Sequence, residues 1–299
     1  MDCVTLSSKV DASVNHVVLA GDGGYYEARY VRRVPERWIC YLSSHSGCDK
    51  ACRFCHLTAT RQTMMSPADL DGFLAQAARA FGSYDAACRD GVPAASKVHF
   101  NWMARGEPLE NPTLLASPDE LFGALGDMAA SRRLSHAHKV SSILPAGFTG
   151  DLARILADSR SRIYYSLYSV NPAFRRRWMP KAMPAGEGLD LLADYQRRTG
   201  GTAVLHWAWI KGENDGEADV ARLLEAVAVR GLRAKFNLVR YNPRSARHGA
   251  EPDEAALQAL FDRVASGLGT PGSRIVPRVG VDVRASCGTF VDDADMEAA

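Results

Sequence analysis

The sequence predicts an α/β fold, a partial (β/α)6 barrel carrying a short N-terminal β-hairpin extension. Two observations predict it. Six short runs rich in β-branched and aromatic residues alternate with six amphipathic helical patterns, the order that makes parallel strands with helices outside. A cysteine-bearing loop directly follows the first of those runs, and sites on such sheets lie at the carboxyl ends of the strands.

Each element has its own signal. Residues 15–19 and 25–31 read as two strands around Gly21-Asp22-Gly23-Gly24, a hairpin turn. Residues 39–43 form the first barrel strand. Ser66-Pro67-Ala68-Asp69 reads as a helix start, with Ser as N-cap and Pro in the first turn, running to about Phe81. A strand at 97–103 precedes a second Ser-Pro start, Ser117-Pro118, and a helix to about Ala130. Strands at 139–144, 163–167, 204–210 and 234–239 are followed in turn by helices at 151–157, 186–198, 217–230 and 253–266. The domain reading is an extension at 1–38, a barrel at 39–291, and an acidic, frayed tail at 292–299.

Bulk composition narrows the class. A chain of 299 residues, 46% hydrophobic and 23% charged, buries a large core and suits a globular protein. It contains no apolar run of about 18 residues, so no membrane span is expected. The start, Met1-Asp2-Cys3-Val4, has no basic-then-apolar leader. Seven cysteines, an odd number, with three in one loop, predict a reducing, cytoplasmic setting without disulfides. A net charge of +2 demands no nucleic-acid partner. Locally, however, Arg29, Arg32, Arg33 and Arg37 precede Trp38, and Arg175, Arg176 and Arg177 precede Trp178 and Lys181. Basic residues among aromatics either grip phosphates and stack bases or form a solvated face.

The chemistry centres on Gly47-Cys48-Asp49-Lys50-Ala51-Cys52-Arg53-Phe54-Cys55-His56, a C-x3-C-x2-C arrangement with an aromatic residue before the third cysteine. Three thiolates on one loop hold three irons of a [4Fe–4S] cluster and leave the fourth open. The rival is tetrahedral zinc, with His56 as fourth ligand. With its aromatic residue, the loop resembles the signature of the radical S-adenosylmethionine enzymes. That resemblance implies S-adenosylmethionine on the open iron and its one-electron cleavage to a 5′-deoxyadenosyl radical.

Further motifs fall in order along residues 25–291. They are Ser43-Ser44 before Gly47-Cys48, Gly106-Glu107-Pro108-Leu109-Glu110-Asn111, Ser166-Leu167, Tyr241-Asn242-Pro243 and Ala285-Ser286-Cys287-Gly288. Together they resemble the RlmN/Cfr family of radical methyl synthases, which methylate an adenine base in RNA. Carried over by position, the resemblance gives Cys48, Cys52 and Cys55 to the cluster. It gives Gly106, Glu107, one of Ser141 or Ser142, Ser166, Leu167, Tyr168 and Asn242 to S-adenosylmethionine, although the family has His where Tyr168 stands. Cys287 becomes the methyl-carrying cysteine, where a lone Cys is otherwise a small buried hydrophobe.

Release of the product is implied to need a second thiol and a general base, and Cys40 and Glu27 match the family's spacing. Tyr41-Leu42, however, puts one extra residue between Cys40 and Ser43. One extra residue flips the face of a strand unless a bulge absorbs it, so Cys40 faces either the site or the core. The family also carries a helical domain ahead of the hairpin, and fewer than forty residues precede the first barrel strand here. The implied partners are an RNA or nucleotide substrate and a reducing donor such as flavodoxin or ferredoxin. One alternative is a radical enzyme acting on a nucleotide, DNA base, natural-product precursor or peptide without the methyl-cysteine. Another, of a different class, is a cluster- or zinc-bearing RNA-binding module without turnover.

Overall fold

The computed structural model describes residues 3 to 298. The chain divides into two compact units, Met1–Asp49 with His56–Ser141 and Val279–Ala299, and Lys50–Cys55 with Ser142–Arg278.

The first unit opens with β1 (Cys3–Ser7), a strand the sequence reading omits. None of its residues is buried, so it carries no apolar signal. It pairs antiparallel with β2 (Val14–Leu19), which forms the expected hairpin with β3 (Tyr25–Val34). In the turn, Gly23 takes φ +81 and the Asp22 carboxylate accepts from Gly24 N–H at 3.0 Å. β3 continues antiparallel to β4 (Arg37–Tyr41). From there the strands run parallel: β4 beside β5 (Lys97–Trp102), and β5 beside β6 (Ser135–Ser142). β4 begins two residues before the expected start at 39, and β6 begins at Ser135 rather than 139, its Ser-His-Ala-His lead too polar to read as a strand.

Between β4 and β5 lie α1 (His56–Ala59) and α2 (Leu70–Arg89). Helix α2 does not start at Ser66-Pro67. Pro67 bridges to His45, and the N-cap is Asp69, whose carboxylate accepts from Gly72 N–H at 2.8 Å. The helix buries Phe73, Ala77, Ala80, Phe81 and Tyr84, a helical stripe. Trp38 of β4 meets that stripe, edge-on to Phe81 at 4.9 Å and stacked on Tyr84 at 5.1 Å. α3 (Pro112–Ala116) and α4 (Pro118–Ala130) follow β5. Both start on proline, although Ser117 makes no side-chain cap.

In the second unit come α5 (Leu152–Ile155), β7 (Ser161–Ser166), α6 (Pro172–Trp178), α7 (Ala185–Thr199), β8 (Ala203–Trp207), α8 (Glu217–Ala228), β9 (Ala234–Val239), α9 (Glu254–Leu268) and β10 (Arg274–Val276). Strands β7 to β10 are successive parallel neighbours. Asp151, Asn171 and Asp253 cap helices with their side chains. Gly200 and Gly269 end α7 and α9 in the left-handed conformation. The sequence reading omits α6, which looks like a basic surface run, and β10, which is three residues long.

The last described segment of the first unit is residues 279–298. Val283, Ala285, Phe290 and Val291 are buried. The acidic tail, expected to fray, instead forms α10 (Asp293–Glu297) under an Asp292/Asp295 capping box, with Asp295 paired to Arg284 at 2.9 Å. The expected fold class holds: parallel strands, helices between them and an N-terminal hairpin. No helix among the described residues is long and apolar enough to cross a membrane.

Candidate active site

In the first unit the site residues follow the carboxyl ends of β4, β5 and β6. Gly47 opens the cysteine loop where a Cβ would meet the carbonyls of Gln62 and Met64 at 2.6 and 2.7 Å. Only glycine therefore lets Cys48 come so close that its N–H donates to Gln62 O at 3.0 Å. Gly106 is held as tightly. It takes φ +92, and a Cβ there would lie 2.5 Å from Ser44 Oγ and 2.6 Å from His45 Nδ1. Glu107 beside it is 3% exposed, and its Oε1 accepts from Leu109 N–H at 3.1 Å. Asn111 donates to the carbonyls of Ser44 and Ala68, both at 2.9 Å, tying the Glu107 turn to the cysteine loop. Ser141 is half-buried at the end of β6.

The second unit holds Cys52 and Cys55 in a tight turn, Cys55 N–H donating to Cys52 O at 3.0 Å. Both pack against an apolar cluster that includes Tyr168, Phe174, Trp178 and Tyr241. Phe54, the aromatic residue of the motif, stacks on Tyr168 with centroids 4.1 Å apart and planes 8° from parallel. Tyr168 takes φ +54, an uncommon conformation for a side chain of its size. Asn214 supports it, donating to Tyr168 O at 2.7 Å and Ala208 O at 3.0 Å while accepting from Ile210 N–H at 2.7 Å. Ser166 ends β7 and Leu167 is fully buried behind it. Ser142 Oγ accepts from Leu144 N–H at 2.8 Å. Asn242 follows β9 and accepts from Arg278 Nε at 2.7 Å.

Among the described residues, no group of three or more His, Cys, Asp or Glu side chains is already gathered as a metal-holding set. The fit of an iron–sulfur cluster therefore rests on the donor chemistry, three soft thiols on one glycine-anchored loop, and not on a preformed cage. His56, the zinc rival's fourth ligand, is the first residue of α1 and is buried.

Cys287 lies in the first unit on the segment between Val283 and Val291, and that segment is clamped from below. Asn15 donates to Val283 O at 3.0 Å, and Arg29 donates to Thr289 O at 2.8 Å. Val291 offers both its groups, N–H to Glu27 Oε1 at 3.0 Å and C=O to Arg105. The clamp is an ion cluster with no exposed surface to speak of: Glu27 pairs with Arg29 at 2.5 Å and with Arg105 at 2.8 Å. Burial would raise the Glu27 carboxyl, but Arg29, Arg105 and Asn15 outweigh it and hold the group below the usual glutamate range. In this fold Glu27 is the buried counterion of Arg29 and Arg105. Cys287 itself is solvent-accessible. Its dense surroundings push the thiol pKa up, and Arg29 and Arg33 act in the opposite direction. One further link bears on it: the N–H of His56, the residue after Cys55, donates to the carbonyl of Gly288, the residue after Cys287, at 3.0 Å.

Cys40 does not join this group. Side chains alternate across a strand, so Cys40 shares the face of Trp38 beneath α2. It has no exposed surface, and burial raises its thiol pKa far above the ordinary value. The basic patches divide: Arg176 and Arg177 are exposed, as the solvated-face alternative has it, while other members are buried. Arg29 serves the buried clamp, and Trp38 is in the core. Arg175 is buried, donating to the carbonyls of Leu167 and Met183 at 2.6 Å each, and Trp178 stacks on Phe174 at 5.7 Å. Neither tryptophan is a platform for bases. The reading missed Arg105, Asn15 and Asn214 because their roles depend on partners distant in sequence; the one available hint was Arg105 standing directly before Gly106-Glu107.

No family model matches the chain. Curated relatives do. The chain is 28% identical over 289 residues to the dual-specificity RNA methyltransferase RlmN of Paramagnetospirillum magneticum, covering 93% of this chain and 59% of the relative. It is 24% identical to the RlmN of Methylorubrum extorquens, with 91% of this chain and 63% of the relative covered. It thus spans about six-tenths of the length of these relatives. Among solved structures, a radical SAM methyltransferase from Sphaerobacter thermophilus superposes with a TM-score of 0.76 at 21% identity, covering 96% of this chain and 80% of that one. Streptococcus suis SuiB bound to S-adenosylmethionine follows with a TM-score of 0.56 at 12% identity, covering 86% of this chain and 57% of that one. In sequence the chain is similar to the RlmN RNA methyltransferases, and it shares the α/β fold of the Sphaerobacter thermophilus radical SAM methyltransferase.

Proposed function

We propose that the chain is a radical S-adenosylmethionine enzyme of the RlmN/Cfr type, which methylates a nucleobase carbon, adenine in RNA, through a methyl group carried on Cys287. The observation that supports this most is the His56–Gly288 hydrogen bond at 3.0 Å, joining the end of the cysteine loop to the neighbour of Cys287. Cys48, Cys52 and Cys55 would hold a [4Fe–4S] cluster. Gly106, Glu107, Ser141 or Ser142, Ser166, Leu167, Tyr168 and Asn242 would hold S-adenosylmethionine. When bound, the two together supply one-electron chemistry that yields a hydrogen-abstracting radical, given a reductant such as flavodoxin or ferredoxin and a reducing, cytoplasmic setting.

The protein's own part is positional. Gly106 lets the backbone close on Ser44 and His45 so that Glu107 is offered, buried, to an ammonium group. The Phe54–Tyr168 stack and the Asn214 bonds fix the strand end after β7. Cys287 would give up its proton to solvent and, as a thiolate, would carry the methyl group of one S-adenosylmethionine, with S-adenosylhomocysteine as the leaving product. The carried methyl would then be the group open to hydrogen abstraction. This route suits an electrophilic ring carbon that ordinary methyl transfer cannot reach.

The test is anaerobic reconstitution with iron and sulfide, addition of S-adenosylmethionine labelled on its methyl group, and mass spectrometry of the digested protein. A labelled methyl on Cys287 is expected. An unmarked Cys287 alongside 5′-deoxyadenosine would sink the methyl-carrier reading and keep a radical enzyme of another kind. A second reading changes only the acceptor, to a nucleotide or a peptide. It is favoured by the burial of Trp38, Trp178, Arg29 and Arg175, which removes the stacking surfaces an RNA would use. Methyl-loaded protein offered RNA, a mononucleotide or a peptide separates the two.

A further inference from the structure

Strand β4 decides which side chain accompanies Cys287, a question whose meaning rests on the methyl-carrier reading above. Ile39 and Tyr41 pack with Val31, Ala104, Val283 and Ala285, so theirs is the face that the Cys287 segment covers. Cys40 lies on the opposite face with Trp38. The bulge in the β3–β4 pair does not turn it round. The register shift falls between Arg32 and Val34, while Tyr30 opposite Cys40 and Arg29 opposite Tyr41 pair regularly. A disulfide needs Cα atoms within about 7 Å and Cβ atoms that converge. The backbone of β4 stands between the Cys40 sulfur and the Cys287 segment.

Tyr41 is equipped for more than filling space. Arg33 Nη2 donates to its phenol oxygen at 3.3 Å, which leaves the phenol proton available to an acceptor. Arg33 Nε is buried without a hydrogen-bond partner, a state that usually costs free energy until something fills it. The same guanidinium acts on the Cys287 thiol. Two donors, one phenolic and one cationic, therefore stand on the face where a second thiol was expected.

We infer that Tyr41, backed by Arg33, is the side chain that meets the substrate on the Cys287 face, donating to a hydrogen-bond acceptor such as a ring nitrogen or carbonyl oxygen, and that Cys40 is a core thiol that forms no bond to Cys287. A phenol cannot form a disulfide, so Tyr41 does not stand in for a second thiol in bonding Cys287.

Oxidative cross-linking of the full chain tests this without cluster or substrate. Diamide-treated native protein, digested without reduction, should give no peptide joining Cys40 to Cys287. N-ethylmaleimide should label Cys287 at least tenfold faster than Cys40. Tyr41→Cys in a Cys40→Ala background should give a disulfide-linked peptide containing positions 41 and 287. A Cys40–Cys287 peptide from the native protein, equal labelling of the two, or a folded Tyr41→Cys variant that fails to bridge would overturn the inference. Should Tyr41→Cys not fold, Arg33→Cys, at a half-exposed position, replaces it with a short bis-maleimide. A link to Cys287 is expected there, and its absence counts against the assignment. The labelled-methyl experiment reads Cys287 alone and is blind to Cys40, so the two ideas fail separately.

Discussion

Replacing Glu27 by Gln tests whether the clamp beneath Cys287 is structural. The carboxylate is fully buried and ringed by donors. Oε2 accepts from Asn15 Nδ2 at 2.9 Å and from Arg29 Nε and Nη2 at 3.0 and 2.5 Å; Oε1 accepts from Arg105 Nε at 2.9 Å and Val291 N–H at 3.0 Å. Glutamine keeps the shape but turns one oxygen into a donor facing donors, and it leaves two buried guanidiniums with no anion. Removing one member of a buried ion pair costs roughly 3–5 kcal/mol. At about 2–3 °C per kcal/mol for a chain of this size, Tm should fall by roughly 6–15 °C. The sign with pH follows from the lowered carboxyl. The stability it contributes is present above the unfolded glutamate value of about 4.3 and is lost as pH falls through the folded value. The gap between wild type and Glu27→Gln should therefore be widest near neutrality and narrow below about pH 4.3. Calorimetry at several pH values reads both. Equal Tm at neutral pH, or a gap that grows in acid, would refute the structural assignment and return Glu27 to the list of possible bases.

Other consequences are as direct. Gly106→Ala places a Cβ 2.5–2.7 Å from Ser44 and His45 at φ +92; a shift costing about 1–3 kcal/mol is expected, and S-adenosylmethionine affinity by titration should drop at least tenfold. Asn214→Ala strips partners from the buried Tyr168 and Ala208 carbonyls and the Ile210 N–H, which at about 1–3 kcal/mol for each buried orphan should move the denaturant midpoint well down and loosen the Phe54–Tyr168 stack in near-ultraviolet dichroism. Cys52→Ser or Cys55→Ser should abolish iron retention after reconstitution while the far-ultraviolet spectrum stays native; retained iron at wild-type stoichiometry would argue against both as ligands. Asp292→Ala removes one arm of the capping box on α10, so about 1 kcal/mol of local stability should go, visible as faster amide exchange confined to the last turn.

What the sequence disclosed divides along a physical line. Features set by local geometry were legible: the turn over Gly21-Asp22-Gly23-Gly24, the Ser117-Pro118 start of α4, the helices beginning near Asp151 and Asp253, and the repeated strand–helix alternation all depend on residues within a few positions of each other. Features set by distant partners were not. Ser66-Pro67 has the form of a helix start, yet Pro67 is taken by a bridge to His45 and Asp69 caps instead. Arg29 and Arg175 read as surface charge because nothing nearby announces the buried carboxylate and carbonyls that receive them. The cysteine loop, the Gly106-Glu107 turn and Cys287 were legible only as spacing, and spacing does not say which way a side chain points.

Cys40 shows the difference most plainly. Its distance from Glu27 suited a paired thiol and base, whereas its distance from Ser43 was one residue too long. A strand has a side-chain period of two, so the two spacings cannot both place Cys40 on one face unless a bulge intervenes between Cys40 and Ser43. The bulge in this hairpin falls at Arg33 instead, on the far side of Cys40. The spacing to Ser43 therefore governs, because Ser43 is locked in place: its hydroxyl bonds the backbone of Glu27 at 2.8 Å, and its N–H donates to Gln76 at 2.7 Å. With Ser43 pinned two residues on, Tyr41 must share its face and Cys40 must turn to the helix. Tyr41, not Cys40, therefore shares the face that Val283 and Ala285 cover, a phenol where the spacing to Glu27 suggested a thiol.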